Sequence, residues 1–268
     1  MLRLSRPIAM IPRGIVTARD IFYGFMALLF AASTAVTVLW GLSMATMGEI
    51  PMPGGWMLSM AWMPMCAQGW AGAATSFIGM WMVMMVAMML PSLAPVLWRY
   101  HQTAGAARLT ALVGAGYLCV WAMAGLIVFT LGAALAEAAQ QSPDLARAVP
   151  FAGGAVVLLA GMLQFTAWKA HHLACCRADA VPVHCLPAGT GMAWRHGLRL
   201  GLHCSLSCAG LTAILLVIGV MDLCAMAAIS LAITLERLAP GGLRIARAIG
   251  IIIVGAAVLL IIRAGGIG

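Results

Sequence analysis

Charged residues are scarce in this sequence, and their scarcity excludes most soluble folds. Asp, Glu, Lys and Arg make up 8% of the 268 residues, whereas hydrophobic residues make up 64%. An ordinary soluble domain carries about 25% charged residues, so this chain is too poor in charge to cover a water-facing surface. The composition therefore predicts a protein embedded in a lipid bilayer, without a soluble catalytic domain.

Signatures of catalysis are missing as well. The sequence has no glycine-rich phosphate loop, no Gly-x-Ser-x-Gly elbow, no HExxH motif and no CxxC pair. Asp and Glu number only seven, so acid–base hydrolysis is poorly supplied. No catalytic residue is predicted, and the pattern does not favour an enzyme. A membrane thiol oxidoreductase that uses Cys175, Cys176, Cys204 or Cys208 stays open as an alternative.

Long apolar runs predict an all-α, polytopic transmembrane helix bundle with about seven spans, or six as the alternative. A spanning helix needs about 20 predominantly apolar residues. Pro91 and Pro95 are expected to kink or break the second span, and the sixth span is short. The spans are expected at residues 21–42, 73–98, 110–135, 149–168, 200–220, 222–238 and 248–262.

The basic residues orient this bundle. Alternating the loops places 13 of the 15 Lys and Arg on one side, which predicts a cytoplasmic N-terminus in a bacterial inner membrane. The chain is then one integral membrane domain, residues 1–268, with an outer Met- and Trp-rich connection at 43–72 and a cytoplasmic His- and Cys-rich loop at 169–199. Because the net charge of +8 lies in short loops, the predicted partner is the lipid bilayer and not a nucleic acid.

Methionine is concentrated in one stretch, because 13 of the 21 Met lie at residues 44–89. Seven Met lie in the outer connection, and six more lie in the second span, where they cover one side of a helix. Thioether sulfur is a soft ligand that selects Cu(I), although Met also fills irregular gaps in cores without any metal. The outer set is Met44, Met47, Met52, Met57, Met60, Met63 and Met65; the candidate ligands of the span are Met80, Met84, Met85, Met88 and Met89.

Histidine and cysteine form two further candidate metal sites. His172 and Cys176 are spaced i, i+4 in the cytoplasmic loop, as are His171 and Cys175, and His184 and Cys185 follow. Mixed imidazole and thiolate ligands suit copper or zinc. In the fifth span, the candidate intramembrane ligands are His203, Cys204 and Cys208. Glu236 and Arg237, at the end of the sixth span, are expected to form an ion pair or to reach the membrane interface.

Three blocks of the sequence carry a family resemblance. They are MVMMVAMMLPSLAP at 82–95, WKAHHLACCR at 168–177, and GLHCSLSCAG through the segment that ends APGG at 201–242. In these blocks the chain resembles a bacterial family of predicted metal-binding integral membrane proteins, a domain of uncharacterised function with an AMMLPS motif. His172 stands where that family usually has a Cys, and Ala209 and Gly210 follow Cys208 where it usually has a further Cys pair. The resemblance implies a metal-binding membrane helix bundle.

These observations lead to one functional hypothesis with two rivals. The chain is expected to bind a soft transition metal for transport or for delivery to an outer-compartment copper protein. Cu(I) is the first choice and zinc is the second. The first rival is a subunit of a larger membrane complex that binds no metal, in which Met and small residues only pack helices. The second is the thiol oxidoreductase named above.

Overall fold

A computed structural model describes residues 17–46, 48–64, 69–178 and 189–265. Within these ranges the chain forms eight α-helices and one two-stranded antiparallel hairpin, so the predicted all-α bundle is confirmed. The helices are α1 (Ala18–Thr46), α2 (Trp70–Ala104), α3 (Ala107–Gln141), α4 (Pro143–Leu163), α5 (Ala167–Ala178), α6 (Thr190–Ile218), α7 (Leu223–Leu238) and α8 (Gly242–Gly265). Met47, Met65, Cys66, His184 and Cys185 lie outside the described residues.

Six of the described helices are long and apolar enough to cross a membrane: α1, α2, α3, α4, α6 and α8. The predicted sixth span forms α7, which has 16 residues and is therefore about 24 Å long. That is shorter than the ~30 Å hydrocarbon core of a bilayer, so the six-span alternative fits the helix lengths.

The loop expected at 169–199 begins and ends in helix, because α5 covers its beginning and α6 starts at Thr190.

Helix α2 is the centre of the bundle. Two thirds (67%) of its most apolar stretch is buried inside the protein, against 17–39% for the other five long helices. Of the kink or break expected at Pro91 and Pro95, the break does not occur: α2 continues through both residues to Ala104. A neighbouring helix supplies a polar partner there: Ser230 of α7 donates to the carbonyl of Met88 at 3.2 Å, beside the carbonyl that Pro91 leaves without a helical donor.

Glycines let α3 and α6 approach closely. A Cβ added at Gly116 would stand 2.7 Å from the carbonyl oxygen of Trp194, and one at Gly197 would overlap the carbonyl of Val113. Gly201 faces the backbone of Tyr117 in the same way. Small residues at such crossings bring helix backbones into van der Waals contact, which drives association inside a membrane.

We expect Gly116→Ala to destabilise the bundle by about 1–3 kcal/mol, because the new methyl group overpacks the α3–α6 crossing. The matched control is Gly114→Ala on the same helix, where an added Cβ meets nothing within 4 Å. The control should be neutral or stabilising, since alanine favours helix over glycine by about 1 kcal/mol. Thermal unfolding of both variants in detergent measures the difference, and equal midpoints would contradict the tight crossing.

The outer connection folds into a hairpin that sequence reasoning did not predict. Strand β1 (Glu49–Met52) pairs with β2 (Trp56–Ser59), and one turn of 3₁₀ helix, Met60–Trp62, follows. Gly54 and Gly55 form the turn with φ of 101° and 75°, conformations that other residues rarely adopt. The hairpin is fixed to the bundle because Trp56 Nε1 donates to the carbonyl of Ala146 at 2.8 Å.

Candidate metal centre

Helices α5 and α6 place three cysteines in the interior of the bundle, close to Arg237 of α7. Cys176 of α5 and Cys204 and Cys208 of α6, here called the thiol cluster, are 6%, 0% and 1% exposed. The i, i+4 spacing of the two α6 cysteines places them on one helical face. The hydroxyl of Tyr117 on α3 lies 2.8 Å from Cys204 Sγ.

The guanidinium of Arg237 lies against this thiol cluster. Its Nη2 atom is 3.3 Å from Cys208 Sγ and 3.9 Å from Cys176 Sγ. It also donates to Ser207 Oγ at 3.2 Å, and Nη1 donates to Ser92 Oγ at 3.3 Å. Arg237 Nε is buried without a hydrogen-bond partner, and no described carboxylate lies within ion-pair distance of the guanidinium. Among the described residues, the groups beside it that can become anionic are the thiols of the cluster and the hydroxyl of Tyr117.

A buried ion pair lies beside the thiol cluster. Lys169 of α5 and Glu236 of α7 meet at 2.7 Å, with side chains 4% and 2% exposed. Lys169 Nζ also donates to the carbonyl of Ser207 at 2.6 Å, so the ammonium joins α5, α6 and α7. The predicted pairing of Glu236 with Arg237 is wrong, because the partner of Glu236 is Lys169 and Arg237 turns its guanidinium inward to the thiols instead of reaching the interface.

Three histidines form a second cluster on the more exposed side of α5 and α6. His172 and His203 approach with 3.0 Å between their Nδ1 atoms, and His171 Nε2 lies 3.7 Å from Cys175 Sγ. Burial lowers the pKa of the His172 imidazole, and the neighbouring His203 and His171 lower it further. The neutral imidazole that these effects favour is the form that ligates a metal.

Residues that the sequence groups into one candidate ligand set face different partners in the structure. His203 faces His172 of α5, while Cys204 and Cys208 face Arg237. Cys176 points to Ser207 and Arg237, one turn beyond the histidine pair. Across the described ranges, no three His, Cys, Asp or Glu side chains converge as a ready metal site. Sequence reasoning did not assign Lys169, Tyr117 or Arg237 to the site, although a basic residue in an apolar segment is itself a functional signal.

The candidate methionine ligands of α2 are all buried. Met80, Met84, Met85, Met88 and Met89 are each at most 5% exposed, and they belong to the same hydrophobic core cluster as the three cysteines. The core of the bundle thus includes thioether and thiol sulfur from α2, α5 and α6. Soft sulfur ligands of both kinds select Cu(I) over hard cations.

The family profile that matches this chain covers the same region. It is PpoB2, described as a copper chaperone, and it matches residues 78–260. The chain belongs to the PpoB2 copper chaperone family. The matched range contains all five buried Met, the thiol cluster and both halves of the His172–His203 pair, and a copper-related family is consistent with their soft donor atoms. No curated protein and no solved structure matches the chain.

Proposed function

We propose that this protein is a membrane copper chaperone that carries Cu(I) as cargo between its buried sulfur ligands and a partner protein. The observation that carries the proposal is that five Met of α2 and three Cys of α5 and α6 are all buried in the hydrophobic core of the bundle. Thioethers stay unprotonated and bind Cu(I) weakly enough to exchange it, whereas thiolates hold it more firmly. A sequence of such sites suits a protein that must both take up and release its metal.

The parts of the chain have different roles in this proposal. Methionines of the outer connection, such as the exposed Met57, capture or release the metal. The buried Met row of α2 holds it, and Cys204 and Cys208, with His203 beside them, bind it within the bundle. His172 and Cys176 act as the exchange site on the cytoplasmic side. The protein lies in a bacterial inner membrane with a cytoplasmic N-terminus, and its partner is a periplasmic copper protein or a larger membrane complex. The likeness to the AMMLPS family remains a prediction.

Metal content tests the proposal directly. Protein purified anaerobically in mild detergent from copper-supplemented cells should contain about one copper or more per chain, as expected for soft sulfur sites. Replacing Cys204 and Cys208 together by serine should lower that content by at least about half, because the two buried thiolates that hold the metal most firmly are lost. Elemental mass spectrometry of the two proteins measures the change.

The matched control replaces two other cysteines, Cys119→Ser and Cys224→Ser. These thiols are half-buried on α3 and exposed on α7, outside the thiol cluster, so the control should keep the copper of the wild type. Background metal in the wild-type protein would overturn the proposal. Zinc that disappears when His172 and Cys176 are replaced would show instead that the metal site lies in the histidine region.

A further inference from the structure

We propose that Arg237 is the fixed counter-charge of the copper site and makes it select a monovalent cation held by two thiolates. The inference rests on the proposed function and names what that site recognises. Arg237 would not ligate the metal. It would be a positioning residue that acts on the sulfur ligands through charge and hydrogen bonds.

The charges around the thiol cluster leave one positive charge uncompensated. Lys169 and Glu236 neutralise each other in their 2.7 Å pair, and Arg177 of α5 turns away to the backbone carbonyls of Glu236 and Pro240 at the exposed edge. Arg237 is then the remaining cation beside the thiols, and no described carboxylate pairs with it. A charge in a low-dielectric interior is costly unless it is paired, so this pocket favours an occupant that carries one negative charge.

Two thiolates on one Cu(I) ion give that charge. Binding converts Cu⁺ and two thiols into a bis-thiolate complex with a charge of −1, and two protons leave to solvent, so no electron is transferred. The complex and Arg237 together are neutral. A divalent ion on the same two thiolates is neutral by itself and leaves the guanidinium uncompensated. Zinc also requires about four ligands, and no group of three or more His, Cys, Asp or Glu side chains in the described ranges is arranged to hold a metal ion.

Each of the two sulfurs lies beside a group from another helix that can donate a hydrogen bond to it. Arg237 Nη2 lies 3.3 Å from Cys208 Sγ, and the Tyr117 hydroxyl lies 2.8 Å from Cys204 Sγ. A thiolate can only accept a hydrogen bond, so both contacts strengthen when the thiols lose their protons to the metal. Such outer groups orient the ligands and tune their basicity. Arg237 therefore places a positive charge beside Cys208 and orients the sulfur of that residue.

The test is a Cu(I) competition titration of detergent-purified, oxygen-free protein against a chromophoric Cu(I) chelator. Arg237→Gln should weaken Cu(I) binding by about 10- to 100-fold, the range expected when an outer-shell partner of a metal ligand is removed. Arg237→Lys, which keeps the charge, should recover most of that loss. Arg199→Gln, on an exposed position of the same helix as the thiols, should bind copper like the wild type. X-ray absorption of the copper-loaded wild type should show sulfur ligation.

The outcomes separate this inference from the proposed function. A wild type that binds no Cu(I) overturns the proposed function and the inference with it. Wild-type binding together with an Arg237→Gln affinity within twofold of the wild type, or equal losses in Arg237→Gln and Arg237→Lys, overturns the inference alone. A second measurement needs no variant: the wild type should bind Ag(I), a monovalent soft cation, far more tightly than Cd(II). Equal affinities for these two ions would likewise overturn the inference.

Discussion

Replacing Met84, Met85, Met88 and Met89 by leucine should leave the bundle folded but slow the passage of copper. Leucine nearly conserves the volume of methionine, and swaps of this kind usually cost less than about 1.5 kcal/mol each. The thioether sulfurs disappear, so under the proposed function Cu(I) would lose the soft ligands of α2. We expect transfer across proteoliposomes to slow by at least about tenfold, equivalent to ~1.4 kcal/mol of additional barrier. Chelator fluorescence inside the vesicles measures the rate.

The matched control for this prediction replaces methionines on exposed helix faces, away from the core. Met123 of α3 and Met162 of α4 are 55% and 54% exposed on the bundle, and changing both to leucine should leave copper transfer as in the wild type. Thermal unfolding of the quadruple variant in detergent establishes that the fold survives. A folded quadruple variant that transfers copper at the wild-type rate would show that the Met row of α2 only packs the core.

The helices were predictable because a bilayer permits few alternatives. Backbone groups in hydrocarbon must find partners within the chain, which an apolar run achieves only as a helix. The methionine pattern of α2 follows from the same periodicity, since residues four apart share a face, and the structure buries that face. The hairpin could not be predicted in this way. Its Met and Trp residues at 56–63 follow neither the helical period of 3.6 residues nor the strand period of two over enough positions.

The site was only partly predictable, for geometric reasons. His203 and Cys204 are neighbours in the sequence, but adjacent helical residues point about 100° apart, so they face different helices. His172 and Cys176 do share a face of α5, yet they lie one turn apart and meet His203 and Ser207 respectively. The Lys169–Glu236 pair joins residues 67 positions apart. Only the packing of α5 against α7 reveals it.

Neutralising Glu236 alone should severely destabilise the protein. Glu236→Gln leaves the Lys169 ammonium without its carboxylate in a place where both side chains are almost fully buried. Breaking a buried pair from one side typically costs about 3–5 kcal/mol. Reversible unfolding in mixed micelles of mild detergent and dodecyl sulfate measures the free energy. Asp144→Asn is the matched control: it breaks the exposed Asp144–Arg147 pair and should produce no measurable change.

Removing both charges should restore most of the lost stability. The double variant Lys169→Met/Glu236→Met replaces the pair by apolar side chains, which is often neutral or stabilising for buried ion pairs. Equal stabilities of Glu236→Gln and Asp144→Asn would show that the pair is solvated and contributes little.

The double variant also separates the stability of this region from its role in copper binding. Because Lys169 and Glu236 cancel, their joint removal leaves Arg237 and its single charge beside Cys208, so copper affinity should persist even though the ion pair that joins α5 to α7 is gone.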